Sequence, residues 1–340
     1  MSSEGSIGII LGSAIAPEAI ADAAAQAESS GFDEIWLAED YFFTGGISGA
    51  SVVLGATEEI TVGLGVVSAV ARHPSVLAME LATLSRSSPE RLVAGVGLGV
   101  PVWVRQMGLH PRSPMTAVRE CVTAVKTLLA GDVLDRRGEV FEFNNVKLTY
   151  PETGSPMPVR LGVSGPNMLR LGGEIADGTV LSVCSSLRYV EWAKERIDEG
   201  RQIAGRTDPH PITVFALYAV DEDGQAARDS ARASLAFYRQ HGPNALTDVY
   251  GISEELQVLI DQGGYKAVRD GMPDQWVADL TVAGTPAECA AKIRALWAGG
   301  ADSVALFPLA TDRLAEIIDL TVSEVLPILA SAKTSSALAR

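Results

Sequence analysis

Two acidic residues stand side by side at Glu39-Asp40, where the largely apolar run Glu34-Ile-Trp-Leu-Ala38 ends. Adjacent carboxylates at a strand tip can divide polar contact and proton transfer between them. The plainer reading is a solvated loop or a cap for the next helix. Ser164-Gly165-Pro166 offers different chemistry, because it precedes an amphipathic segment with Met168, Leu169, Leu171 and Ile175. A helix start presents free N–H groups and the positive end of the helix dipole, which with a serine hydroxyl suits a phosphate. The same tripeptide also reads as a simple cap with proline in the first turn. Gly63-Leu-Gly65 and Gly95-Val-Gly-Leu-Gly99 miss the GxGxxG spacing, since the third glycine comes one residue early. Glycines at strand ends admit a ligand close to the backbone, and they equally serve tight turns. Arg72-His73-Pro74 supplies either a cation near a pocket or merely the start of a helix.

These residues need a scaffold that brings them together. Eight short apolar runs read as strands: 7–11, 34–38, 60–67, 91–96, 159–163, 178–183, 212–220 and 303–307. Helical periodicity fills the gaps, as in Leu187, Val190, Ala193 and Ile197, with Gly205 as the stop. Thr285-Pro286-Ala287-Glu288 is a helix start with capping threonine, proline at the first position and glutamate three residues on. Strands alternating with helices favour parallel strands and crossover helices. Eight of them predict an α/β fold, a closed (β/α)8 TIM barrel with insertions. We expect one domain over residues 1–330, with insertions near 133–150 and 240–280 and a flexible tail at 331–340. Barrel enzymes keep their active sites at the C-terminal strand ends. That rule selects Glu39-Asp40, 65–68, 97–100, 163–166 and the neighbourhood of Phe307 as the candidate site.

Composition removes several alternatives. A net charge of −15 opposes nucleic acid and anionic membranes. No stretch approaches the roughly 18 apolar residues of a membrane span. The first six residues lack the basic start of a signal peptide, so the expected compartment is the cytoplasm. Cys121, Cys184 and Cys289 show no CxxC spacing and read as buried thiols of a reducing compartment. Histidines stand alone at 73, 110, 210 and 241, without HxH or HExxH, so no metal site is expected.

Taken in order, several segments resemble the luciferase-like monooxygenase superfamily, specifically its F420-dependent branch, which includes methylenetetrahydromethanopterin reductases. They are Ala27–Asp33 with Ile35–Asp40, Val62–Ser68 with Arg72-His-Pro74, Arg91–Gly99, Leu161–Pro166 running into Gly173–Gly178, and Gly284–Glu288. The resemblance implies a deazaflavin held at the barrel mouth, against a third-strand bulge with a non-prolyl cis peptide. By position that bond is Gly65–Val66, with Val67 completing the bulge. Glu39 is implied to meet the polar edge of the ring, Leu98 and Gly99 to line the site, and Val163, Ser164, Gly165 and Pro166 to hold the cofactor phosphate.

The implied activity is hydride transfer between coenzyme F420 and a small organic substrate, with Glu39 or Asp40 handling the proton. A homodimer is the implied assembly. Where the sugar-phosphate dehydrogenases of this branch carry histidine and glutamate, this chain has Asp40 and Val100, which argues against glucose 6-phosphate. Two alternatives stand beside this reading: an FMN-dependent monooxygenase on the same barrel, using dioxygen and a partner reductase, and a non-catalytic F420-binding protein.

Overall fold

The computed structural model describes residues 5–309 and 313–330. Among these, eleven strands occur: β1 (Ser6–Leu11), β2 (Glu34–Leu37), β3 (Thr61–Ser68), β4 (Leu92–Gly97), β5 (Leu134–Arg137), β6 (Glu142–Val146), β7 (Val159–Gly162), β8 (Thr179–Leu181), β9 (Ile212–Val220), β10 (Val282–Gly284) and β11 (Ser303–Pro308). The order β9-β11-β1-β2-β3-β4-β7-β8 closes through a β8–β9 pairing, all parallel. This is the expected (β/α)8 barrel, and its staves coincide with the eight apolar runs.

Apolar periodicity explains the layering. Both faces of a barrel strand are covered, so β9 is buried at all nine positions. Ile35 and Leu37 pack under the helices, whereas Trp36 between them belongs to a separate cluster with Ile10, Val93, Val180, Phe215 and Ala305. That second cluster fills the barrel axis. Trp36 and Phe215 meet edge to face with centroids 5.4 Å apart. Beneath them, Glu34 accepts hydrogen bonds from the Trp36 indole at 2.7 Å and the Ser303 hydroxyl at 2.6 Å. The Arg160 guanidinium lies 5.9 Å from the Trp36 ring, and burial pulls its pKa down.

The structure also differs from the sequence expectations in instructive ways. The segment near 133–150 folds as an antiparallel β5–β6 hairpin. The segment near 240–280 is helical, with helices Ala245–Tyr250, Ser253–Gly271 and Asp274–Leu280. It delivers β10, an unanticipated strand beside the C-terminal half of β9. Three residues with no alternation carry no strand periodicity, so β10 exists only because β9 outruns its neighbour β8. The capping box at Thr285 and Glu288 forms as read. The tail 331–340 lies outside the described residues.

Candidate active site

β2 ends in Ala38-Glu39-Asp40, and the two carboxylates diverge there. Glu39 turns inward, where only 2% of its side chain is exposed. Both its oxygens meet Arg72, at 2.7 and 2.8 Å from the two terminal guanidinium nitrogens. The Tyr41 hydroxyl donates to Oε1 at 3.0 Å and the Gly46 N–H donates to Oε2 at 2.9 Å. Four donors occupy the carboxylate, which suits a fixed anchor and leaves no lone pair free for a travelling proton. Arg72 also reaches Glu80 through Nε at 3.2 Å. Burial and then Glu39 push the Tyr41 phenol up to about 12. Asp40 is half-buried, and among the described residues its carboxylate accepts one hydrogen bond, from the Ser13 hydroxyl at 2.6 Å.

Strand β3 carries the bulge. Its register against β4 slips between Leu64 and Val67, so one extra residue sits opposite β4. The Gly65–Val66 peptide bond is cis, as is Tyr41–Phe42. A Cβ on Gly65 would lie 2.3 Å from Cζ of Phe215, so only glycine fits there. Val66 rests on β4 and β7: a Cβ on Gly162 would approach it to 2.4 Å and one on Gly97 to 2.8 Å. Strand-end glycines thus make the seat that lets Val66 project over the axial cluster. Val67 does not share this role. It is fully buried in the helix-facing core, against Gly46, because the bulge reverses side-chain direction after Val66.

Ser68 joins the two strand ends by donating to the Leu98 carbonyl at 2.7 Å. Gly99 follows with φ +86°, and Leu98 and Gly99 are both half-buried. Beyond β7, Val163 is core, while Gly165 caps the helix Pro166–Ile175 without any side-chain cap bond. The space around Gly165 is open, with nothing within 4 Å of a built Cβ. The Asn167 and Met168 N–H groups begin this helix and have no preceding turn to donate to. Ser164 is not the cap. Its carbonyl is instead pinned by the Tyr189 hydroxyl at 2.6 Å.

Glu39, Val66, Leu98-Gly99 and 164–166 therefore follow the C-terminal ends of the adjacent staves β2, β3, β4 and β7, with Val66 seated on the glycines of β4 and β7 and Glu39 joined to β3 through Gly46 and Val67. Sequence reasoning passed over Tyr41, Gly46 and Ser13, since a hydroxyl or bare amide carries no motif. It noted Arg72 only as a cation near a pocket. His73 proves structural: it starts the helix Pro74–Ser87, and its ring lies 5.1 Å from that of Phe143. Among the described residues, no group of three or more His, Cys, Asp or Glu side chains could hold a metal ion. Nor is any described helix long and apolar enough to cross a membrane.

A closed parallel barrel with a bulged third stave and a polar mouth defines the class. Residues 3–303 match the luciferase-like monooxygenase model, and the chain belongs to that family. It is 30% identical over 311 residues to a 5,10-methylenetetrahydromethanopterin reductase of Archaeoglobus fulgidus, covering 88% of this chain and 92% of the relative. An F420-dependent glucose-6-phosphate dehydrogenase of Nakamurella multipartita is 29% identical over 283 residues, covering 78% of this chain and 82% of that one. Among solved structures, the coenzyme F420 dependent tetrahydromethanopterin reductase of Methanopyrus kandleri superposes with a TM-score of 0.84. That match is 25% identical and covers 96% of this chain and 99% of the other.

Proposed function

We propose that this chain is an F420-dependent oxidoreductase that moves hydride between the deazaflavin and a small organic substrate. The observation that supports this most is that the adjacent staves β2, β3, β4 and β7 carry the Glu39 anchor, the bulge, Leu98-Gly99 and the uncapped helix start at their C-terminal ends. The names of the relatives in both comparisons support F420 over FMN as the partner of that mouth.

The residues fit the group. The open backbone at Gly165, with the Asn167 and Met168 N–H groups behind it, suits the phosphate of the cofactor tail. Val66, Leu98 and Gly99 offer an apolar face for a flat ring. When bound, the deazaflavin supplies two-electron hydride chemistry at a carbon. Glu39 keeps Arg72, Tyr41 and the Gly46 turn in place. Proton handling falls to Asp40, whose carboxylate holds one donor and keeps acceptor capacity. The protein's remaining task is orientation of the two reactants.

Three buried free thiols support a reducing, cytoplasmic setting. The exposed apolar residues Val52, Val76 and Met79, on the helices that flank β3, suit a homodimer contact. Light scattering of the purified chain tests that assembly.

Fluorescence titration with F420 and FMN tests the cofactor. Tighter binding of F420 is expected, and a preference for FMN would replace this reading with the monooxygenase. Stopped-flow absorbance with reduced F420 then tests the proton role. Asp40→Asn is expected to slow hydride transfer about 10²-fold or more, within the usual range for general acid–base catalysis.

A further inference from the structure

Beside the mouth lies a cleft of about 360 Å3, lined by Ala14, Phe237, Tyr238, Tyr265, Phe307 and Leu309. It connects to the site already described through Phe307. That ring, like Val66 and Val183, packs against the axial cluster, and it also forms the cleft wall. Ala14 follows Ser13, the donor to Asp40. The cleft thus runs from the bulge and Asp40 outward, under the helix Gly224–Arg239 and the inserted helix Ser253–Gly271.

Its lining is aromatic and uncharged. Four rings face it, and among the described residues no acidic or basic side chain lines it. Two arginines next to lining residues turn elsewhere. Arg269 lies 5.8 Å from the Tyr265 ring and pairs with Asp270 at 2.7 Å. Arg239 is buried and donates to Asn244 at 3.2 Å. An anion entering here would meet no positive side chain on the described lining, against a chain of net charge −15.

Of the three hydroxyls on the lining, those of Ser234, Tyr238 and Tyr265, that of Tyr238 is the one within electrostatic reach of Asp40. The Tyr238 hydroxyl has no hydrogen-bond partner among the described residues, while its ring meets Phe237 edge to face at 5.6 Å. Burial, then Asp40 and Cys184, push this phenol up, so it stays a donor. At about 30 Å3 per water-sized group the cleft holds roughly a dozen heavy atoms. Flat rings of that size gain most from aromatic walls.

Resting on the function proposed above, we infer that this cleft is the substrate subsite. It takes an uncharged, ring-bearing molecule with a single oxygen turned to Tyr238, and it rejects small phosphorylated or carboxylated substrates.

The test is calorimetric titration of the full chain, alone and loaded with F420, with benzaldehyde, benzoate and glucose 6-phosphate. Benzaldehyde and benzoate share a shape and differ in charge. Benzaldehyde is expected to bind at least about tenfold more tightly than benzoate, a difference of about 1.4 kcal/mol, and glucose 6-phosphate is expected to give no heat. Ser234→Trp, which fills the cleft from its small polar wall, is expected to weaken benzaldehyde about tenfold and leave F420 affinity within about twofold. Tyr238→Phe is expected to weaken benzaldehyde and leave toluene binding unchanged. Retained F420 affinity certifies that each variant is folded.

Equal or tighter binding of benzoate or glucose 6-phosphate would overturn the inference, as would benzaldehyde binding indifferent to Ser234→Trp. If F420 does not bind while the chain alone still prefers benzaldehyde to benzoate, the cleft's selectivity stands and the cofactor reading falls.

Discussion

Removing the Arg72 side chain while keeping Glu39 isolates what anchors the mouth. In Arg72→Leu the Glu39 carboxylate loses two of its four donors, those at 2.7 and 2.8 Å, and keeps Tyr41 and Gly46. Only 2% of the Glu39 side chain is exposed, against 22% for Arg72. The stranded charge is therefore the buried one. Breaking a buried pair from one side costs about 3–5 kcal/mol. The partial exposure of Arg72 lets water refill its place, which puts the expected loss near the lower end, about 3 kcal/mol.

A second carboxylate adds a pH signature. Burial raises the Glu80 carboxyl and Arg72 opposes that rise, so the variant sends it further up. A carboxyl raised in the folded state binds more protons there than in the unfolded chain. The variant's stability therefore falls as pH rises through the carboxylate range. Arg72→Lys keeps the charge without the two-pronged geometry and is expected to lose less. Replacing both partners with apolar residues, as in Glu39→Met with Arg72→Leu, is expected to recover most of the loss.

Urea denaturation followed by circular dichroism, at pH 7.5 and at pH 5, measures all four proteins. A loss below about 1 kcal/mol for Arg72→Leu, the range of an exposed pair, would refute the claim that this network is a buried anchor. So would a double variant no more stable than the single one.

Other outcomes follow from the same geometry. Gly65→Ala drives a methyl to 2.3 Å from Phe215 Cζ; a loss of about 1–3 kcal/mol and weaker F420 binding are expected, checked by urea melts and fluorescence titration. Burial, helped by Arg201 and Arg206, lowers His210 to about 4 from 6.5. The neutral ring is favoured on folding, so this stability is complete above pH 6.5 and is lost as pH falls toward 4. That amounts to at most about 3 kcal/mol, and His210→Asn should flatten the acid limb of a stability–pH curve. Burial pushes Cys121 and Cys289 up to about 12 and also raises Cys184. Ellman's reagent should therefore find almost no thiol in the native chain and three after denaturation.

Much of the site was legible because single residues announced themselves. A carboxylate pair at the end of a hydrophobic run, glycines clustered at strand ends and a proline-started helix each have a local cause visible in one dimension. The cis bond at Gly65–Val66 was implied by resemblance, and the structure contains it. The roles of neighbours were less legible. Glu39 and Asp40 look equivalent as letters, yet one accepts four hydrogen bonds and the other a single one. Val67 looks like part of the bulge, yet its side chain belongs to the core.

The amino-acid sequence by itself determined the staves and their alternation with helices, because hydrophobic period and helix capping act over a few residues. Only the tertiary structure decided which polar groups meet. Arg72 comes from the loop after β3, Tyr41 from the loop after β2, Gly46 from the start of the helix that follows, and Tyr238 from a helix some 200 residues beyond Glu39. Barrel closure brings them to one rim, and contacts across that distance leave no periodic trace in the chain, since each depends on a direction in space that local spacing does not encode.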